Sequence, residues 1–145
     1  MDLVVEKQVS PTIDLDTIGG QVEALLSQFN PGISVERRRH LRIPVPVLFR
    51  LTPLDDDRQP VAEQSIVVVG KNVSQRGISF IHNRPLPYRR ARITLIQPGF
   101  GPFDVEVDVR WCRFTRPGWY ESGGRLLRAA ARTWTCSEME LASDV

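Results

Sequence analysis

Strict alternation of apolar and polar residues constrains this chain more than any other feature. Asp104-Val105-Glu106-Val107-Asp108-Val109-Arg110-Trp111 alternates along its length, and Arg90-Ala91-Arg92-Ile93-Thr94-Leu95-Ile96 does so shortly before it. Successive side chains of a strand point to opposite faces, so a period of two predicts half-buried strands, with Val105, Val107, Val109 and Trp111 turned to a core. Pro98-Gly99-Phe100-Gly101-Pro102 lies between the two runs and predicts a hairpin turn. With that turn centred near Phe100, Arg92 stands opposite Asp108 and Thr94 opposite Glu106. Cross-strand pairs of this kind contribute roughly 0.2–1 kcal/mol each. Asp104, Glu106 and Asp108 therefore have a structural duty and need no catalytic one.

The remaining β signals are short. Ile43, Val45, Val47 and Phe49 alternate with Pro44, Pro46, Leu48 and Arg50, as in a strand near a sheet edge. A second strand is expected from Gln64 to Val73 and a third from Gly77 to His82. The last strands carry Cys112, Phe114, Trp119 and Tyr120, with Arg116-Pro117-Gly118 as a turn and Gly123-Gly124 as a bend. Leu126 to Arg132 has helical propensity and predicts a short C-terminal helix. Short strands divided by turn signals predict a mainly β fold, a small antiparallel barrel.

Ahead of the strands, Leu15, Ile18, Val22, Leu25, Leu26 and Phe29 mark one face of a helix over about 14–29. Asp14 or Asp16 can cap its start, and Asn30-Pro31-Gly32 ends it. The stripe must be covered either by the barrel of its own chain or by the same helix of a second subunit, which would make a homodimer. The expected plan is an N-terminal arm at 1–32, a barrel domain at 33–130 and a C-terminal tail at 131–145.

Composition narrows the function classes. With 41% hydrophobic and 25% charged residues, the 145-residue chain reads as an ordinary globular domain rather than a disordered one. No run approaches a membrane span and the N-terminus lacks a signal-peptide layout, so a cytoplasmic protein with no membrane insertion is the expectation. Cys112 and Cys136 lack metal-ligand spacing and read as reduced structural thiols. His40 and His82 have no ligand or triad partners in pattern, Ser74 has no identifiable base, and no phosphate loop or nucleophile elbow is present. The carboxylates of Asp55-Asp56-Asp57 read as a solvated loop tip. The expectation is a non-enzyme with no catalytic residue, metal or cofactor.

Two polar elements remain. Arg37-Arg38-Arg39-His40-Leu41-Arg42 is the densest basic cluster of a chain whose only lysines are Lys7 and Lys71. Arginine offers a planar fork that matches phosphates and the O6/N7 edge of guanine. Asn72-Val73-Ser74-Gln75-Arg76-Gly77 joins two apolar runs; Asn, Ser and Gly suit a tight turn, with glycine free to take positive φ. Arg38-x-x-x-Arg42 and Asn72-x-Ser74-x-x-Gly77 together resemble the RxxxR and [D/N]xSxxG motifs of the PilZ domain, a family of receptors for the bacterial second messenger cyclic di-GMP. The likeness covers residues 36–128, with a strand starting directly after the first motif and Ile78-Ser79-Phe80 following the second.

The resemblance implies a six-stranded antiparallel β-barrel that binds cyclic di-GMP on its outer surface. Arg38 and Arg42 would hold phosphates and guanine edges, Asn72 a guanine, and Ser74 the guanine or the adjoining phosphate. Gly77 would allow close approach. Arg37, Arg39 and Arg76 are further candidate contacts. Such a receptor would relay binding to a downstream protein by moving its arginine segment and N-terminal helix. Two other readings stay open: a PilZ-like adaptor that binds no ligand and works through protein contacts, and a small basic barrel that binds single-stranded nucleic acid. The last needs an exposed aromatic beside the basic groove, against which Trp111 is expected to face inward.

Overall fold

The computed structural model describes residues 14–38 and 40–130. Arg39, the residues before Asp14 and the tail from 131 onward, with Cys136, lie outside the described residues. The order of elements is α1 (Ile18–Phe29), α2 (Val35–Arg38), β1 (Ile43–Pro44), β2 (Leu48–Pro53), a 3-10 turn (Ala62–Gln64), β3 (Ile66–Val73), β4 (Gly77–His82), β5 (Arg90–Leu95), β6 (Asp104–Arg116) and β7 (Trp119–Ala129). Strands β3-β2-β5-β6-β7-β4 are antiparallel neighbours in that order, and β4 pairs back onto β3. The result is a closed six-stranded barrel, with β1 as an extra short strand on the far half of β3. Closure removes the free edges that a sheet of this size would otherwise expose. The barrel is filled by Phe49, Leu51, Val68, Phe80, Ile93, Phe103, Val105 and Val107, each almost wholly buried.

Helix α1 closes one end of this barrel. Val22, Leu25 and Leu26 are completely buried in the same cluster as the barrel side chains, a burial worth roughly 1.5–3 kcal/mol per side chain. Polar side chains fix its position: Gln21 Oε1 accepts from the Asp104 amide at 2.7 Å, and Gln28 Oε1 from the Gly101 amide at 3.1 Å. Phe29 stacks on Phe100 with ring centroids 4.9 Å apart. Of the two expected covers for the stripe, the chain's own barrel provides it, which leaves no such stripe for a homodimer through this helix. The cap is Thr17 rather than Asp14 or Asp16; its side chain accepts from the Gly20 amide. Asp14 instead ties the preceding turn through the Asp16 amide.

Three further expectations are corrected. The β5–β6 hairpin is centred one residue earlier than Phe100, so Arg92 opposes Glu106 and Thr94 opposes Asp104, two places from the expected register. Leu126 to Ala129 belong to β7 and pair with Val105, Glu106 and Val107, so no helix starts there. Backbone pairing and the burial of Leu126 outweigh a helix propensity of a few tenths of a kcal/mol per residue. Trp111 is 40% exposed rather than inward, because the β6–β7 register shifts between Val109 and Trp111. One extra residue in a strand turns every later side chain to the other face.

The acidic residues of β6 do have structural partners. Arg92 and Thr94 hold Asp104, Arg58 and Arg128 hold Glu106, and Arg89, Arg90 and Arg110 surround Asp108. Burial pushes the Asp108 carboxyl up, but the Arg110 hydrogen bond and the charges of Arg89, Arg110 and Arg90 outweigh it and hold it below the ordinary range.

His82 provides a pH-dependent contribution to stability. Its Nδ1 lies 2.6 Å from the Arg84 carbonyl oxygen, so that nitrogen carries the hydrogen, and Nε2 accepts from Ser122 Oγ at 2.7 Å. Burial lowers its pKa from 6.5, against the opposing effect of the Arg84 bond. The folded state therefore holds the neutral ring, and stability present above 6.5 is lost as pH falls below it, since the unfolded chain takes up the proton first. The unfolding free energy from urea titrations should fall between pH 7.5 and 5.5, by at most about 1.4 kcal/mol per pH unit. His82→Asn should flatten that slope; an unchanged slope refutes the assignment.

Candidate functional site

Two strand irregularities build a groove on the outside of the barrel. In β3 the inward residues are Val68 and Gly70, so simple alternation would send Asn72 inward too. The β3–β4 register shifts between Gly70 and Asn72, leaving Lys71 as an extra residue. Asn72 is thereby turned outward beside Ser79, and Val73 takes the buried position instead. The irregularity in β6 does the same for Trp111. Bulges recur where a side chain must be re-aimed next to a functional surface.

Between these two residues lies a groove of about 400 Å3, lined by Arg42, Asn72, Val73, Ser74, Arg76, Gly77, Ile78, Ser79, Arg110, Trp111, Gly124 and Arg125. Of the residues expected to bind, Arg42, Asn72, Ser74, Gly77 and Arg76 are brought together here. The β1–β3 pairing achieves this: Ile43 opposes Val73 and Pro44 opposes Asn72, which brings Arg42, the residue before β1, into the groove. Arg37 is exposed and does not line the groove. Arg39 lies outside the described residues.

Arg38 is placed elsewhere. It is only 6% exposed. Its guanidinium pairs with Glu23 of α1 and donates to the backbone oxygens of Ile33 and Asn30 just past that helix. It thus ties the loop that follows α1 to Glu23 on that helix and joins α1 to α2.

The turn itself is held by its own side chain. Ser74 Oγ accepts from the amides of Gly77 at 3.3 Å and Arg76 at 3.4 Å, and the Ser74 amide donates to the Gly77 carbonyl at 2.9 Å. Gly77 does not adopt positive φ, contrary to the expectation for this turn. Its requirement is space, since a Cβ there would stand 2.9 Å from the Gly124 carbonyl oxygen. Gly123 meets a similar demand: a Cβ would be 2.3 Å from the Trp111 ring, which lies directly against the strand.

Arg110, Trp111 and Arg125 are lining residues that sequence reasoning missed. The only available signal was the Gly123-Gly124 pair, which leaves room for a ring on the neighbouring strand. Among the described residues, the lining contains four arginines and no carboxylate. Arg110 is engaged by Asp108 at 2.8 Å, while Arg42, Arg76 and Arg125 form no ion pair among the described residues. Converging unpaired cations make a surface of positive potential that attracts anions. Ser79 Oγ is buried and has no hydrogen-bond partner among the described residues. Chemically, the groove offers arginine forks for phosphates or guanine edges, an amide and a hydroxyl for a base edge, and an indole for stacking.

No protein-family model matches the chain, and no curated protein matches it. Among solved structures, it is similar to MrkH of K. pneumonia in its apo state, with 10% identity and a TM-score of 0.43. The match covers 77% of this chain, which spans only 50% of that neighbour's length. Among the described residues, no helix is long and apolar enough to cross a membrane.

Proposed function

We propose that this protein is a cyclic di-GMP receptor of PilZ type, a non-enzymatic module that binds the dinucleotide in the outer groove and relays it to a partner. The observation that carries the reading is the meeting of the two motifs: the β1–β3 pairing of Ile43 with Val73 brings Arg42 into one groove with Asn72, Ser74 and Gly77. A cyclic dinucleotide presents two phosphates and two guanines, and arginine forks satisfy both group types. Charge-assisted hydrogen bonds contribute about 1.5–3 kcal/mol each. Four of them suffice for the roughly 8 kcal/mol of a micromolar complex after ordering costs. Isothermal titration with cyclic di-GMP should give saturable binding. Absence of heat at high micromolar ligand overturns the receptor reading and leaves the ligand-free adaptor.

Trp111 adds a second specific expectation. Its outward ring beside Arg110 and Arg125 suits stacking on a guanine. Trp111→Ala should weaken cyclic di-GMP by about 1–3 kcal/mol, roughly 5- to 150-fold, measured where the variant is fully folded, since the ring also covers Gly123 and its loss lowers the melting midpoint. Equal affinities for the two proteins would remove the ring from the site.

The same ring favours one other reading. An exposed aromatic in a groove that also holds Arg42, Arg76 and Arg125 is a platform for single-stranded nucleic acid too, and the inward placement that counted against it does not hold. That reading predicts oligonucleotide binding that falls steeply with salt, in proportion to the phosphates contacted. Oligonucleotide affinity above that for cyclic di-GMP at physiological salt decides for it.

A further inference from the structure

A second recess on the same outer face is apolar. The antiparallel registers line up Leu48 of β2, Val69 of β3, Ile81 of β4 and Glu121 of β7 in one row across four strands. Outward positions of an antiparallel sheet are normally polar. Here Leu48, Val69 and Trp119 are 41%, 37% and 39% exposed, and Val67, one outward position along β3, is 52% exposed. A cavity of about 500 Å3 opens between Val69, Ile81 and Trp119, with Lys71, Arg116 and Glu121 also lining it. The row is one outward step along β4 and β7 from Ser79 of the first groove and from Gly123, its partner on β7.

The charges around the strip are one-sided. Among the described residues, Glu121 is the only carboxylate lining the recess, and it is already engaged by Lys71 at 2.9 Å and Arg113 at 3.1 Å. Those two cations outweigh the upward push of burial and hold its carboxyl below the ordinary range. Arg50, opposite Val67, and Arg116 form no ion pair among the described residues. An apolar strip with arginine and tryptophan at its margin has the make-up of a protein-docking surface.

We infer that this face docks an acidic amphipathic segment of a partner protein, its apolar side in the recess of Val69, Ile81 and Trp119 and its carboxylates on Arg50 and Arg116. A two-fold contact between copies of the chain would set the basic margin against itself, which costs affinity. The recess of Val69, Ile81 and Trp119 gives an apolar side chain of a docked segment a place to enter, a fit that a bilayer surface does not use. The inference stands apart from the dinucleotide reading, because none of its residues lines the first groove.

The test uses the full chain, isotopically labelled, titrated with a synthetic helical peptide carrying Leu on one face and Glu on the other. Its counterpart carries Lys in place of Glu. Chemical shifts should move at Val69, Ile81 and the Trp119 indole, and the Glu peptide should bind about tenfold tighter than the Lys peptide. Trp119→Ala should abolish the shifts without moving the melting midpoint, and Arg116→Glu should erase or invert the preference. Scattered or absent shifts, or equal binding of the two peptides, overturn the inference. Two other results overturn it by naming a different occupant. One is co-sedimentation with phosphatidylserine vesicles that Trp119→Ala abolishes. The other is a concentration-dependent dimer that the same substitution dissolves.

Discussion

Arg38→Ala should destabilise the domain by about 3–5 kcal/mol, the usual cost of removing one member of a buried ion pair. The guanidinium is buried against Glu23 and also holds the Ile33 and Asn30 carbonyls, so its loss strands a carboxylate and frees the loop after α1. For a domain of this size, 3 kcal/mol lowers the melting midpoint by on the order of 10 °C. Glu23→Gln should be similarly costly, because it leaves the arginine unpaired. The double substitution should cost clearly less than the sum, since the two act as one unit. A midpoint for Arg38→Ala within a degree of the parent would show that the pair contributes nothing. The same pair bears on the dinucleotide reading. If Arg38 joins the ligand, it must first leave Glu23, and that release is subtracted from the affinity. Glu23→Gln should then tighten cyclic di-GMP binding several-fold even as it weakens the fold. Unchanged affinity would confine Arg38 to its structural role and leave Arg42 as the motif's ligand-binding member.

What was legible in the sequence follows from how local each determinant is. The alternation in Ala91 to Leu95 and Val105 to Val109 is a property of single strands, and those side chains face inward as read. The turn from Asn72 to Gly77 and the start of β4 at Gly77 were likewise local. Bulges are not. Whether β6 gains a residue at Arg110 depends on the spacing of β7, so Trp111 was placed on the wrong face although the alternation is perfect on paper. The β5–β6 register failed for a related reason: moving a turn's centre by one residue moves every pair by two. At Leu126 the local preference was helical, but the ladder to Val107 and the burial of the side chain prevailed. Arg38 and Arg42 were legible as a motif and not as a pair of positions. Arg38 is claimed by a helix side chain far back in the chain, a contact no spacing rule encodes.

Arg42→Ala is the substitution that isolates the proposed site from the fold. The residue is exposed, has no ion pair among the described residues and stands where β1 meets the turn. Its removal should leave the melting midpoint within the small range typical of surface changes, about 0.5 kcal/mol. Binding is a different matter. A bidentate contact to a phosphate or a guanine edge loses two charge-assisted hydrogen bonds at once, so cyclic di-GMP should weaken by at least about 3 kcal/mol, roughly two orders of magnitude. From a micromolar parent, that puts the variant beyond the range of a calorimetric titration. Arg42→Lys separates charge from geometry: an ammonium keeps the attraction and loses the fork, so it should recover only part of the loss. Full recovery would mean that the groove merely collects anions, and the dinucleotide reading would lose its specificity argument. Arg42→Ala with unaltered affinity would sink that reading outright, because Arg42 is the only described residue of the first motif that lines the groove.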